Sequence, residues 1–396
     1  MIARLEPARG FAYSFGMRAW ARAGPLLLLV LAMTACTLPS RFAAMQREMH
    51  ALAAAPLAPQ PPGPPRYRGV IHVHSELSHD SRGSAGDLLR AAKTAGLDFV
   101  MTTDHNGPAI FERGVDGLVD GILFIRGAEI RVDGEYLLAL GIDSFLDPGG
   151  LRFDQAAAAV IAKGGVPIGA HPARFAHWDA PNLAGVEVWD LYDEANSDRW
   201  RYAGKALDIL FWYGRYPEAL IGSIVRHPTR ALARFDAETG RRRLTAIATP
   251  DAHRNIRVLG RQLDPYPLTF RLPVTYVLAD EKSRPALLEA LRRGRTYFAF
   301  EVFAPAPHFD FRLVDDRGTF WIMGDEPPAA PGQSLHVVSP HRGRITIVRD
   351  GKVFRRADGS ELTVAIDGPG VYRSEVALSV QGRWRPWIYS NPIYVR

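Results

Sequence analysis

Short apolar runs that end in histidine or a carboxylate constrain this chain more than any other feature of its sequence. They are Gly69–His74 (GVIHVH), Phe99–His105 (FVMTTDH), Ile122–Ile130 (ILFIRGAEI), Tyr136–Ile142, Val166–His171 (VPIGAH), Val186–Asp190 and Thr245–Asp251. Between them lie stretches with helical spacing. Ser84 and Asp87 suit an N-terminal cap before Leu88–Ala95, which Gly96 would stop, and Asp154–Lys163 ends at Gly164–Gly165. Strand and helix in alternation predict an α/β fold, and seven such strands predict a barrel over residues 67–304. The less regular stretch 192–243, with mixed Trp, Tyr and Arg, is expected to supply helices over the barrel mouth.

The remainder reads differently. Arg284–Arg293 (RPALLEALRR) puts Leu287, Leu288 and Leu291 on one helical face. From residue 305 helical periodicity gives way to alternating runs: Leu335–Ser339, Arg344–Arg349, Leu362–Ile366, Val371–Val380 and Trp387–Arg396. Asp350–Gly351 and Gly368–Pro369–Gly370 stand between them as turns. This predicts a small all-β sandwich over 305–396. Two folded units also suit a length of 396 residues, more than one core usually fills. The closing IYSNPIYVR (388–396) is expected to be a strand supporting the barrel, with carbohydrate or partner binding as the alternative.

His72 and His74 stand two apart in a strand, so both imidazoles leave one face at its C-terminal end, where barrel enzymes place their chemistry. Neighbouring strand ends add Asp80, Asp104 with His105, Glu129, His171, and Asp251 with His253. Six of the twelve histidines (His72, His74, His79, His105, His171 and His253) thus fall beside carboxylates at strand ends. The single cysteine, Cys36, excludes an intramolecular disulfide and a thiolate zinc site. Imidazole and carboxylate ligands suit Zn, Mn or Fe, and their spacing does not choose among these.

The ordered motifs HVHSELSHDS (72–81), TTDHN (102–106), GAEI (127–130), GAHP (169–172) and PDAH (250–253) resemble those of the polymerase and histidinol phosphatase (PHP) metallohydrolase family, over about residues 67–300. The resemblance implies a distorted (β/α)7 PHP barrel. It implies one divalent ion held by His72, His74, Glu129 and Asp251, a second bridged by Glu129 and bound by His171, and a third bound by Asp80, His105 and His253. His79 is the alternative to Asp80. Asp104 is implied to hold a ligand or a substrate proton in place. Trinuclear members carry a further histidine after the sixth strand, where this chain reads VEVWDLY (186–192). Two ions are therefore expected before three, with Glu187 or Asp190 as candidates to complete the second site. Many members also have a histidine near the start of the fourth strand, where Glu135 and Tyr136 stand here.

The reaction so implied is hydrolysis of a phosphomonoester or phosphodiester by a metal-bridging hydroxide. Arg174, three residues after His171, and Arg254, directly after His253, are placed to bind a phosphate oxygen, with a surface salt bridge as the other reading of each. The same apparatus can attack carbon in a carboxylic or carbamate ester. Outside the enzymes, the alternative is a non-catalytic metal-binding envelope lipoprotein, against which the intact ligand set argues.

Charge and the N-terminus bear on location. The 48 Lys+Arg exceed the 42 Asp+Glu, for a net charge of +6, and lysine occurs only at Lys93, Lys163, Lys205, Lys282 and Lys352. The arginines are spread without a basic block, so the excess points to an anionic envelope surface and a small acidic substrate and not to nucleic acid. Pro25–Ala35 (PLLLLVLAMTA) follows Arg18 and Arg22, has signal-peptide length and is short for a membrane span. Thr34, Ala35 and Cys36 resemble a bacterial lipobox, with Met33 where leucine is usual. Residues 1–36 are therefore expected to be a lipoprotein signal, with Met17 as an alternative start and Cys36 as the lipidated membrane anchor. Residues 37–66 are expected to be a Pro/Ala-rich tether, and Thr37 favours the periplasmic face of the outer membrane. His177 and His227 read as surface histidines.

Overall fold

In the computed structural model, which describes residues 41–196 and 208–396, one sheet of 17 strands runs through the molecule beside a separate two-stranded ribbon. The expected signal segment with Cys36 lies outside the described residues. All seven strands expected before residue 252 are present: β1 (Arg66–Val73), β2 (Phe99–Thr102), β4 (Ile122–Val132), β5 (Glu135–Leu140), β6 (Val166–Gly169), β7 (Gly185–Asp190) and β8 (Thr245–Thr249). A short β3 (Gly117–Val119) pairs antiparallel with β4. The seven bond in the order just given, antiparallel at β4–β5 and β5–β6 and parallel elsewhere. Several end before their apolar runs do, which releases His105, His171 and Asp251 into the following loops.

Burial on both faces explains why β2 and β6 read as continuous apolar runs. Ile71, Met101, Ile125, Leu138, Ile168 and Ile247, each from a different strand, pack into a core with Leu287, Leu288 and Leu291 of the helix Arg284–Arg293. That helix begins at a Ser283 cap and stops at Gly294, whose φ of 74° needs no side chain. The helix Ala85–Ala95 likewise has the expected Ser84–Asp87 capping box and a left-handed Gly96.

Three features bear on what the sequence predicts. First, the strands do not close into a continuous ring of hydrogen bonds among the described residues. β8 meets β1 only through an isolated parallel bridge, Val73–Ala252, with the His74 amide donating to Ala252 O at 3.0 Å. Farther down this seam, side chains stand in for a strand. Asn391 Oδ1 accepts the Ala246 amide at 2.7 Å, and its Nδ2 donates to Ala246 O at 2.9 Å and Thr296 O at 3.0 Å. The Tyr394 hydroxyl accepts the Leu244 amide at 3.1 Å. Both residues come from the IYSNPIYVR segment, so it supports the curved sheet by bridging its open edge.

Second, the C-terminal strands are hydrogen-bonded into the same sheet as the first seven. The ribbon β9 (Arg257–Val258) and β10 (Arg261–Gln262) precedes β11 (Val274–Leu278) and β12 (Thr296–Ala299), which extend the sheet antiparallel from β1. β13 (Asp310–Val314), β14 (Phe320–Ile322), β15 (Ser334–Arg349), β16 (Lys352–Ala365), β17 (Gly370–Val380), β18 (Arg383–Ser390) and β19 (Ile393–Val395) follow. β12 pairs with β18, so hydrogen bonding carries the same sheet into the C-terminal region. β15 joins two of the expected runs, and Asp350–Gly351, both with positive φ, turns it into β16.

Third, the described part of 37–66 is not a free tether. Residues 41–54 form a helix that buries Phe42, Met45 and Met49, spaced three and four apart, against the main core. Glu48 accepts the Gln381 amide at 2.8 Å, and the Pro-rich stretch after the helix is pinned by Arg312, which donates to Pro62 O at 2.9 Å.

Asn391→Leu, close in volume, would leave the buried Ala246 amide without its acceptor. A loss of about 1–3 kcal/mol in denaturant unfolding is expected; an unchanged midpoint would show that this amide does not hold the seam.

Candidate metal centre

The backbone is strained where the ligand candidates cluster. His72, His171 and Asp251 have φ of 66°, 58° and 41°, a left-handed region that costs a non-glycine residue about 1–3 kcal/mol. At His72 this makes a bulge. β1 pairs with β2 as Ile71–Met101 and then Val73–Thr102, passing over His72, and His74 lies just beyond the strand. The two imidazoles therefore converge, with ring centres 5.2 Å apart, through a bulge and not through simple strand alternation.

Glu129, at 2% exposure, is the hub. Its Oε1 lies 3.0 Å from His171 Nε2 and 3.6 Å from His72 Nε2, and its Oε2 lies 3.0 Å from His105 Nδ1 and 3.6 Å from His74 Nε2. Asp251 Oδ1 stands 3.1 Å from His72 Nε2 and 3.3 Å from His74 Nε2. To one side, Asp80 Oδ2 lies 3.0 Å from His105 Nε2 and 3.3 Å from His253 Nε2. All eight residues expected as metal ligands fall in this one cluster. Asp80, not His79, joins His74, His105 and His253 in a set of donors within 4.8 Å of one another, while His79 stacks on His105.

Hydrogen bonding from behind fixes the free nitrogen of two rings. A carboxylate only accepts, so His72 Nδ1 must carry the proton it shares with Glu187 Oε1 at 2.7 Å, leaving Nε2 as the nitrogen open to a ligand. His74 reaches the same state through a relay. Asp104 accepts from Ser78 Oγ at 2.9 Å, so the hydroxyl has spent its proton and accepts from His74 Nδ1, also at 2.9 Å. Asp104 is otherwise bonded to the Ser75 amide and hydroxyl. It thus positions His74 and does not face the cavity.

His72 Nε2, His74 Nε2 and Asp251 Oδ1 are buried and form no hydrogen bond among the described residues. Buried polar atoms are seldom left so. Donors about 2.1 Å from one tetrahedral ion stand about 3.4 Å apart, close to the spacings of Asp251 Oδ1 from the two nitrogens. The residues fit a divalent ion. The charge balance agrees with this. Burial opposes a charge on His72, but Asp251 and Glu187 outweigh it and hold its pKa well above the usual range. Burial likewise opposes the shifts at His171, pushed up to about 11 by Asp193 and Glu129, and at His253, pushed up to about 9 by Asp80 and Asp251. Without an ion these carboxylates hold protons on the imidazoles, so metal uptake near neutral pH releases protons.

After the sixth strand the structure separates the two candidates for completing the second site. Glu187 sits behind the ligands, accepting from His72, from Thr249 Oγ1 at 2.6 Å and from the His171 amide at 2.7 Å. Asp190 Oδ1 is 3.9 Å from His171 Nδ1, and Asp193 Oδ1, not foreseen from sequence, is nearer at 3.5 Å. The signal was its place three residues on, where the helix Leu191–Asn196 turns it to the same side, with its amide bonded to Asp190 Oδ1 at 2.7 Å.

The cluster opens into a cavity of about 720 Å³. Arg174 lines it, with its guanidinium 5.5 Å from the centre of the Tyr136 ring. Arg254 is not among the lining residues: its side chain pairs with Asp87 at 2.6 Å, the salt bridge that was the other reading of this residue. Arg131, missed in the sequence, also lines the cavity, at 6.0 Å from the same ring. Tyr136 stands edge-on to His171 at 5.2 Å. Phe145, Pro148, Leu191, Tyr192 and Ile256 supply an apolar wall.

Neither a protein-family model nor a curated protein matches the chain. Among solved structures it is similar to a two-domain protein of Bacteroides vulgatus containing a predicted PHP-like metal-dependent phosphoesterase. The identity is 16%, the TM-score 0.43, and the match covers 86% of this chain and 98% of that one. It is also similar to a protein of Bifidobacterium adolescentis, assigned by inference as a metal-dependent phosphoesterase, at 16% identity and a TM-score of 0.32, over 52% of this chain and 94% of that one. A likeness this distant carries no argument about chemistry, which rests on the side chains themselves.

Glu187→Gln keeps the shape but removes the charge behind His72. Metal affinity is expected to fall about 10–100-fold, measured by competition with a chromogenic chelator; wild-type affinity would rule out this orienting role.

Proposed function

We propose that the chain is a divalent-metal hydrolase of the PHP type that cleaves a phosphoester. The observation that carries this reading is the convergence of three buried, unbonded donor atoms, His72 Nε2, His74 Nε2 and Asp251 Oδ1, on one point. In this reading the curved sheet is the family's distorted barrel, with Asn391 completing the seam. One ion is held by His72, His74, Glu129 and Asp251 and another by Asp80, His105 and His253. A third position is available to His171 with Asp190 or Asp193, one of the donor groups close enough to hold an ion. A divalent ion supplies activation of water and neutralises charge that develops on the ester's oxygens.

The chain's own residues do the rest. Glu187 and the Asp104–Ser78 pair hold the Nδ1 side of His72 and His74 and aim their Nε2 atoms into the site. Arg174 and Arg131 put positive charge on the cavity wall beside Tyr136, where they can bind non-bridging oxygens of an anionic ester and hold it for attack. The apolar lining residues suit an apolar leaving group. This charged wall favours a phosphoester over a neutral carboxylic or carbamate ester.

Stripping the metals and restoring them should abolish and then recover hydrolysis of p-nitrophenyl phosphate or bis-p-nitrophenyl phosphate. His74→Ala and Asp251→Ala should lose both metal and turnover, and Arg174→Ala should raise KM about tenfold or more, the worth of a charged hydrogen bond. Hydrolysis of p-nitrophenyl acetate alone would overturn the phosphoester reading, and full activity in either ligand variant would overturn the site.

From the sequence of residues 18–36 we also propose export with lipid attachment at Cys36 on the periplasmic face of the envelope. Metabolic labelling with palmitate should mark the wild-type chain and not Cys36→Ser; label retained in the variant excludes this attachment point.

A further inference from the structure

Directly after His253 the chain leaves the site as a hairpin. β9 and β10 pair Val258 with Arg261 and Arg257 with Gln262, and the turn is Leu259–Gly260, with φ of 47° and 76°. Such two-residue turns favour Asn-Gly, because a bulkier side chain is disfavoured in the left-handed region. Here the first turn residue is leucine, 81% exposed, next to Val258 at 40% and near Ile256 at 47%, which itself lines the metal cavity. One position therefore combines an unfavourable backbone with an exposed apolar side chain and gains no packing. Local rules broken without a structural return mark function.

The base of the hairpin is fixed and cationic. Asp264 accepts the Asn255 amide at 2.9 Å and the Ile256 amide at 3.0 Å, and Tyr213 donates to Leu263 O at 2.6 Å. Arg257 and Arg261 flank the tip, and neither forms an ion pair among the described residues; Arg257 donates only to Gln262 Oε1, at 3.0 Å.

We propose that this hairpin docks on an anionic lipid surface, with Leu259 and Val258 entering the acyl boundary, Arg257 and Arg261 at headgroup level, and the cavity mouth held at the membrane. A two-residue convex tip is far smaller than the roughly 800 Å² per partner of a specific protein interface. An apolar tip above a cationic base instead matches the depth profile of a charged bilayer, and the chain's net charge of +6 has the right sign. The proposal is independent of which bond the site breaks, because it is read without turnover.

The test uses the full chain as Cys36→Ser/Leu259→Cys, labelled with the environment-sensitive fluorophore NBD, and Cys36→Ser/Asp120→Cys as control. Asp120 lies in the turn between β3 and β4, at the end of β4 away from Glu129. With vesicles of phosphatidylcholine containing about one-third phosphatidylglycerol, a blue shift is expected at 259 and none at 120. Adding Arg257→Gln or Arg261→Gln should weaken partitioning about fivefold each, as expected of one cation at an anionic leaflet. An unshifted 259 probe, with or without vesicle association, overturns the proposal, as does an equal shift on neutral vesicles. A shift that needs no vesicles and grows with protein concentration overturns it in favour of a contact between copies of the chain.

Discussion

A buried carboxylate must find compensating partners, and Glu129 lies among four imidazoles. His72 and His74 come from β1 and its exit, His105 from the loop after β2, and His171 from the loop after β6, all within 3.6 Å of its two oxygens. Burial alone would raise the Glu129 pKa; His105 and His171 beside its two oxygens and the charge of His72 outweigh it and hold the carboxyl ionised, well below the usual range. An uncompensated charge here would cost several kcal/mol. The strand ends are thereby tied to one point, and any shift of one strand against another would separate Glu129 from a partner.

Around that point, the structure spends backbone strain to aim side chains. Left-handed His72, His171 and Asp251 turn out of the sheet where regular strands would carry them past the centre. Glu187, with Thr249, and Ser78, with Asp104, then lock the rings from behind. Asp190 shows the other side of the same crowding: burial, with Asp251 and Glu187 close by, pushes its pKa well up, since a further buried anion cannot be accommodated without a cation.

The sheet's open seam belongs to this economy. A closing run of backbone hydrogen bonds between β8 and its neighbour would demand a regular edge just where Asp251, Ala252 and His253 must leave it. Asn391 and Tyr394 satisfy the edge lower down instead, and one bridge, Val73–Ala252, holds it at the top. The C-terminal strands are therefore part of the support of the metal centre and continuous with its sheet through β12 and β18.

The sequence by itself determined what is local. Apolar runs placed the seven strands, capping residues and a leucine face placed the helices Ala85–Ala95 and Arg284–Arg293, and donor chemistry at strand ends named the residues that cluster. Helical spacing at Phe42, Met45 and Met49 was legible too, but hidden by the Pro/Ala composition around it. Only the tertiary structure decided which partner each group meets: Asp80 over His79, Asp193 as well as Asp190 beside His171, Arg131 in the cavity while Arg254 turns to Asp87, and Asn391 across the seam. Periodicity and side-chain chemistry act over a few residues. Charge pairing and the satisfaction of buried polar groups act through space, between elements whose separation in sequence says nothing of their distance.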